Sequence, residues 1–301
     1  MAQAFPGQDL ARASSLVLPR GHVSESRARR QPIYSTIRYT GAQLLRYRSH
    51  FVRHPTICLN WLGFAVTYLK SVAMRDRAIA RFVGTKTSVV SHIMKDLAAS
   101  PFQEELRIAA QTNDWRVSPA LYSPLWGPTL FALVRATRPR IVLETGVAHG
   151  VSTAHILSAL DKNKSGQLYS LDKSIVWKQP RHPNGEQVPA KLRGALVPAS
   201  LRMTAGWRWN LRDGLITCNS LKKILTDLKW IDLFVHDSDH SEEHMYMELT
   251  TAWEHMRPGG ILVVDDILTN PEGLRHFLTA TKLSRIRCER LGPMALIRRL
   301  S

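Results

Sequence analysis

A chain of 301 residues with 44% apolar content carries enough hydrophobic material for a packed core, which excludes a disordered or low-complexity protein. Cys58, Cys218 and Cys288 lie far apart, with no Cys or His at metal-ligand spacing; this excludes a zinc finger or disulfide scaffold and points to a reducing compartment, with all three as packing residues. The net charge of +17 is concentrated early, where Arg12, Arg20, Arg27, Arg29, Arg30, Arg38, Arg46, Arg48 and Arg53 meet only Asp9 and Glu25, and it points to an anionic partner or to a solvated basic face.

Residues 1–40 mix Pro, Ser, Gly and Arg without apolar periodicity and read as a flexible basic arm. The Arg and Ser content is compatible with a transit peptide, whereas the compact apolar region of a secretory signal does not follow the start. Across 41–115 apolar residues recur at helical spacing, as in Leu62, Val66, Leu69 and Val72 and again in Val89, Val90, Ile93 and Leu97, which predicts a basic helical region. Its longest apolar stretch, Thr56 to Leu69, contains Asn60 and Gly63 and falls short of the roughly 20 residues a spanning helix needs. Trp61, Phe64 and Tyr68, followed by Lys70, Arg75, Arg77 and Arg81, suit either an interfacial membrane helix or packing on the neighbouring domain. The expected location is cytoplasmic, with peripheral contact to a membrane as the further expectation.

From 116 to 301 helices alternate with short apolar strands, the pattern of an α/β fold with a mostly parallel sheet. A helix over Leu125 to Thr137 leads into strands at Arg140 to Glu144, Gln167 to Leu171, Trp207 to Leu211, Ile231 to His236 and Ile261 to Val264. Cys288 to Leu291 and Ala295 to Arg298, parted by Gly292 and Pro293, predict an antiparallel hairpin at one edge.

The run IVLETGVAHGVSTAHILSAL places Gly146 and Gly150 between a strand and a helix, where a backbone can approach a ligand at the helix N-terminus. The competing reading is a tight turn with Ser152 or Thr153 as helix cap. Asp172 ends the next strand, where a carboxylate can accept from both hydroxyls of an adenosine ribose. A nicotinamide dinucleotide is disfavoured, because the glycine spacing is not that of its fingerprint.

The motifs LETGVAHGVST, LYSLD, DLFVHDSDHSEEHMYMELTTAWEHMRPGGILVVDDI and the final hairpin, in this order, resemble the class I S-adenosylmethionine-dependent methyltransferases over the last two-thirds of the chain. The resemblance implies a Rossmann-like domain in which Glu144, Gly146 and Gly150 cradle the methionine part of S-adenosylmethionine and Asp172 binds its ribose. The family position near the adenine has no clear counterpart, since Asp213-Gly214 reverses the usual order.

Asp237, Asp239 and His240 follow the fourth strand, and Asp265 and Asp266 the fifth, so neighbouring strands bring several carboxylates to one mouth. Crowded carboxylates repel unless a cation neutralises them, and a hard divalent ion such as magnesium is the natural reason. Similarity to metal-dependent O-methyltransferases implies Asp237, Asp265 and Asp266 as ligands and His240 as the base. The competing reading has Asp239 or Ser241 capping the following helix and Asp266 satisfying loop amides. His236 and His244 read as structural or surface residues, Met245 and Met247 as packing. The long segment from Lys173 to Gly206 reads as a lid or acceptor flap.

Together these imply methyl transfer to a hydroxyl of a small molecule or saccharide, with an anionic membrane surface as partner of the basic half. A methyltransferase of RNA or protein is the alternative within catalysis, and nucleic acid is the weaker partner because no RNA-binding module is visible. A catalytically inactive, membrane-associated protein that keeps the fold is the alternative outside it.

Overall fold

The computed structural model describes residues 55–112, 121, 123–173, 192–268, 270–281 and 286–300, with the side chains of 55–65 and 112 excepted. The expected arm at 1–40, residues 41–54 of the basic region and most of the expected lid lie outside the described residues.

Among the described residues three helices come first, α1 (Pro55–Val83), α2 (Thr87–Ala98) and α3 (Pro101–Thr112), followed by α4 (Trp126–Thr137). Then the chain alternates through β1 (Ile141–Thr145), α5 (Val151–Asn163), β2 (Gln167–Asp172), α6 (Ala199–Ala205), β3 (Trp209–Asp213), α7 (Cys218–Leu228), β4 (Ile231–His236), α8 (Glu242–Glu254), β5 (Met256–Val264) and α9 (Glu272–Ala280). It closes with β6 (Ile286–Leu291) and β7 (Met294–Arg299). The strands form one sheet in the order β3-β2-β1-β4-β5-β7-β6, parallel through β5, with β7 antiparallel to both its neighbours. The order reverses between β1 and β4, the position beyond whose strand ends parallel α/β sheets bind their ligands.

The strand residues sort by the two-residue period of an extended chain. Val142, Leu233, Val235, Ile261, Val263 and Leu296 face one helical layer, while Leu143, Phe234, Leu262, Val264 and Ile297 face α7, α8 and α9. Every residue of β4 is buried, as suits a central parallel strand covered on both sides. Asp232 is tolerated there because its Oδ2 accepts from the amides of Arg140 and Ile141 at 2.7 and 2.8 Å and its other oxygen pairs with Arg257.

The N-terminal helices share the first of these cores: Tyr68, Ile79, Phe82, Val90 and Leu106 belong to the same buried cluster as Leu130 and Val142. Polar contacts pin them as well. Tyr68 and Ser123 hydroxyls meet at 2.9 Å, Gly292 N donates to Ser71 Oγ at 2.9 Å, and Arg298 donates to Val83 O at 2.9 Å.

Element boundaries move by small amounts from the sequence expectation. The third strand begins at Trp209 rather than Trp207, because Gly206–Arg208 winds into a 3-10 turn. The fifth begins at Met256, five residues early, with its register against β4 shifting between Ile231 and Leu233. Cys288 is exposed on the edge strand, not packed.

Candidate functional site

The turn after β1 is held from three sides. Gly146 has φ 84°, and its amide donates to Leu171 O at 3.0 Å. A Cβ at Gly146 would lie 1.9 Å from the carbonyl oxygen of Asp237, so the glycine is required by the end of β4. Gly150, with φ 90°, is the N-cap of α5, and a Cβ there would lie 2.7 Å from Gly194 Cα. Gly194 N and Leu196 N donate to Ala148 O and His149 O, both at 2.9 Å, so the part of the long segment that is described lies directly on the turn.

Glu144 is fully buried, and its carboxylate is taken up inside the protein. Ser152 donates to Oε1 at 2.6 Å, and Thr153 and Ser170 donate to Oε2 at 2.8 and 2.7 Å. Burial pushes its carboxyl up to about 7 against the pull of these three hydroxyls. Trp209 Nε1 extends the chain by donating to Ser170 Oγ at 3.0 Å. Glu144 thus holds the turn from beneath, with both carboxylate oxygens taken up by these hydroxyls. Ser152 and Thr153 serve it and do not cap α5, whose N-cap makes no side-chain bond.

Asp172 closes β2 beside the turn. Its Oδ2 accepts from Val147 N and Ala148 N, both at 3.0 Å, which ties strand end and turn together. Burial raises its pKa, opposed by those two amides and by Arg193. Arg193 also donates to Asp172 O at 3.1 Å and to Asp213 Oδ1 at 3.0 Å, while Gly214 N donates to Asp172 O at 3.0 Å.

At the ends of β4 and β5, Asp237, His240 and Asp265 bring one ligand atom each to within 4.8 Å of one another. The backbone sets this up: Asp237 N donates to Thr145 O at 3.0 Å and Asp265 N to His236 O at 3.1 Å, which keeps the two loop starts level. Burial pushes the Asp265 carboxyl up, to about 8, and the neighbouring Asp266 adds to the shift. Burial lowers the pKa of His240, helped by His236 and opposed by Asp266, Glu248 and Asp239. His240 Nε2 is buried without a hydrogen-bond partner. Two carboxylates, one of them with its pKa pushed up by burial, and an orphaned imidazole nitrogen are a donor set that suits a cation. Asp266 is not part of this converging set; it adopts φ 59° and its Oδ2 accepts from Asn270 at 3.4 Å. Of the expected trio of Asp237, Asp265 and Asp266, the first two converge, together with His240.

Sequence reading passed over Glu248, the hub of this wall. Fully buried on α8, it accepts from Thr145 Oγ1 at 2.5 Å, His236 Nδ1 at 2.8 Å, Ser238 Oγ at 2.6 Å and His244 Nε2 at 2.8 Å. Burial alone would raise its pKa, but the two imidazoles hold it below the usual carboxylate range. His244 is raised in turn, Glu248 outweighing the effect of burial. With Nδ1 committed to Glu248, the fully buried His236 turns an unpartnered Nε2 away from it, and its ring stands edge-on to His240 with centroids 5.3 Å apart. A signal was present in sequence: an acid one helical turn after His244, in step with the apolar residues Met245 and Leu249 of α8. Asp239 Oδ1 accepts from Ser241 N at 2.9 Å, while the Ser241 side chain makes no cap bond.

Residues 143–267 match a family model described as a methyltransferase domain. No curated protein sequence matches the chain. Similar solved structures include an O-methyltransferase from Bacillus cereus in complex with SAH, 20% identical, over 74% of this chain and 96% of that one, with a TM-score of 0.45. Another is the O-methyltransferase TomG from Streptomyces achromogenes, solved with SAM, 20% identical over 66% of this chain and 90% of that one, with a TM-score of 0.49.

Proposed function

We propose, from the premise that residues 143–267 are a methyltransferase domain, that the chain transfers a methyl group from S-adenosylmethionine to a hydroxyl of a small molecule or saccharide with the help of a divalent cation. One juxtaposition carries this reading. Gly146 packs on the carbonyl of Asp237, so the turn after β1 and the carboxylate and imidazole cluster share a wall. A methyl donor on the turn and an oxygen acceptor at the cluster would be neighbours, as in-line transfer requires.

In this reading Asp172 accepts from the ribose hydroxyls at the end of β2, the Gly146 to Gly150 turn faces the methionine part, and Glu144 keeps that turn in shape. Asp237 and Asp265 hold the cation through oxygen and His240 through Nε2. A cation bound there lowers the pKa of an acceptor hydroxyl and orients it. Two carboxylates with an imidazole suit manganese or zinc better than magnesium, which prefers an all-oxygen shell. His240 then acts as ligand in place of general base. The variant His240→Ala separates the roles: a lost ligand weakens cation binding, whereas a lost base leaves it intact and slows transfer by on the order of a hundredfold.

Calorimetry with S-adenosylhomocysteine tests the premise. The wild-type chain should bind, and Asp172→Ala should bind more than tenfold more weakly, the consequence of losing about 1.5 to 3 kcal/mol of charged hydrogen bonding. A folded Asp172→Ala protein with undiminished affinity would remove the ribose assignment, and no binding by the wild type would sink the reading. With an acceptor in hand, chelation should abolish turnover and manganese restore it; full activity in chelator excludes the cation.

A further inference from the structure

Away from the site, α1 presents a face that the proposed chemistry does not use. Val66 and Leu69 are 46% and 53% exposed and, with exposed Ala73, form an apolar strip at helical spacing. Lys70 and Arg77 are exposed along the adjacent strip, Arg81 at its far end is paired with Glu289, and Met74, 50% exposed, lies beyond them. The opposite face is fully committed: Tyr68, Ile79 and Phe82 are at most 1% exposed in the core.

The direction of α1 is settled by its contacts. Val83, near its C-terminal end, accepts from Arg298 on the last turn of β7, whereas Ser71 accepts from Gly292 in the turn between β6 and β7. That turn stands at the same edge of the sheet as the candidate site, for Ile267 N donates to Pro293 O at 2.8 Å and Val264 pairs with Ala295. Going from Val83 back to Ser71 therefore approaches the edge that carries Asp237, His240 and Asp265. Val66 lies a further turn and a half along, about 7 Å at the rise of an α-helix.

We propose that the outward face of α1 around Val66 and Leu69 seats the protein on an anionic phospholipid surface, with the edge that carries the site turned toward the lipid. An apolar strip beside a basic strip fits such a surface because the first gains by entering the acyl boundary and the second by meeting the headgroups. A nucleic acid would use the charges and leave the apolar strip in water. The composition upstream has the same sign: residues 1–54 contain nine arginines against Asp9 and Glu25. No described helix is long and apolar enough to cross a membrane, so the contact is interfacial. The inference does not rest on methyl transfer, and its test uses no acceptor.

The full chain is sedimented with vesicles of phosphatidylcholine alone and of phosphatidylcholine with phosphatidylglycerol. Wild-type protein should bind the anionic vesicles and not the neutral ones, and Val66→Glu with Leu69→Glu should weaken that binding by about tenfold or more without lowering Tm. Val66→Ser with Leu69→Ser, which adds no charge, should weaken it in the same direction and guards against misfolding of the glutamate variant. Equal binding of variants and wild type would overturn the proposal, as would wild-type protein that ignores anionic vesicles. Tighter binding to mixed-sequence RNA than to vesicles, untouched by these variants, would assign the charge to nucleic acid and overturn it too. A dimer in wild-type protein that dissociates in the variants, with no vesicle binding, would give the face to a second copy of the chain.

Discussion

Glu144 and Glu248 are both carboxylates with no exposure to solvent, one under the turn after β1 and the other at the end of β4, and their pKa values move in opposite directions. Burial pushes both upward. Around Glu144 the only compensation is three neutral hydroxyls, and its pKa rises to about 7. Around Glu248 two imidazoles answer the charge, and it is held below the usual carboxylate range. Charge on the neighbours, and not depth, decides whether a buried acid is ionised. The two also differ in what they join: Glu144 links β1, α5 and β2 on the turn's own side, whereas Glu248 links Thr145, next to Gly146, with Ser238, next to Asp237.

The strongest way to break this contrast is Glu248→Ala. Stripping the charge from beneath His236 and His244 should cost about 3 to 5 kcal/mol in urea unfolding; a loss below about 1 kcal/mol would mean the imidazoles were never charged partners. Glu248→Gln sharpens it, because the shape stays and the charge goes: the pKa of His244, raised in the wild type, should fall in an NMR titration.

Gly146→Ala tests the wall that joins the two regions. The side chain would meet the Asp237 carbonyl and sit at positive φ, so about 2 kcal/mol or more of stability should be lost. A Tm equal to that of the wild type would show that the wall yields.

Glu144→Gln gives a smaller, pH-dependent effect. The folded pKa of Glu144 lies above the unfolded value, so its contribution to stability is complete below the unfolded pKa and is lost as pH rises through about 7. The stability of wild type relative to the variant should therefore fall between about pH 4 and pH 8, by on the order of 3 kcal/mol at most. A difference that stays flat across that range would mean that the three hydroxyls fully offset burial and leave the folded pKa at its unfolded value.

The smallest effect belongs to the surface. Arg81 forks onto Glu289 across α1 and β6 but is itself exposed, so Arg81→Ala should leave Tm within experimental scatter.

Much of this was legible in the sequence, because it depends on neighbours along the chain. The apolar runs of β1, β2, β4 and β5 follow from local periodicity, the reversal at Gly292-Pro293 from turn chemistry, and the placing of Asp172, Asp237 and Asp265 from their positions just past strands. The amphipathic character of α1 was visible too, although both an exposed and a packed apolar face were compatible with its residues; in the fold Tyr68 is buried while Val66 and Leu69 are not.

What only the tertiary structure decided is partnership between residues distant in the chain. Gly146 is glycine because a carbonyl from the end of β4 presses on it. Glu144 supports the turn because Ser170, on the next strand, and Ser152 and Thr153, on the helix, all donate to it. His240 joins Asp237 and Asp265 while Asp266 does not, since a left-handed backbone at Asp266 carries its side chain toward Asn270. Glu248 gained its place only when α8 folded back on β4, for a carboxylate's state is set by the charges within a few ångströms, and a sequence records order along the chain but not those distances.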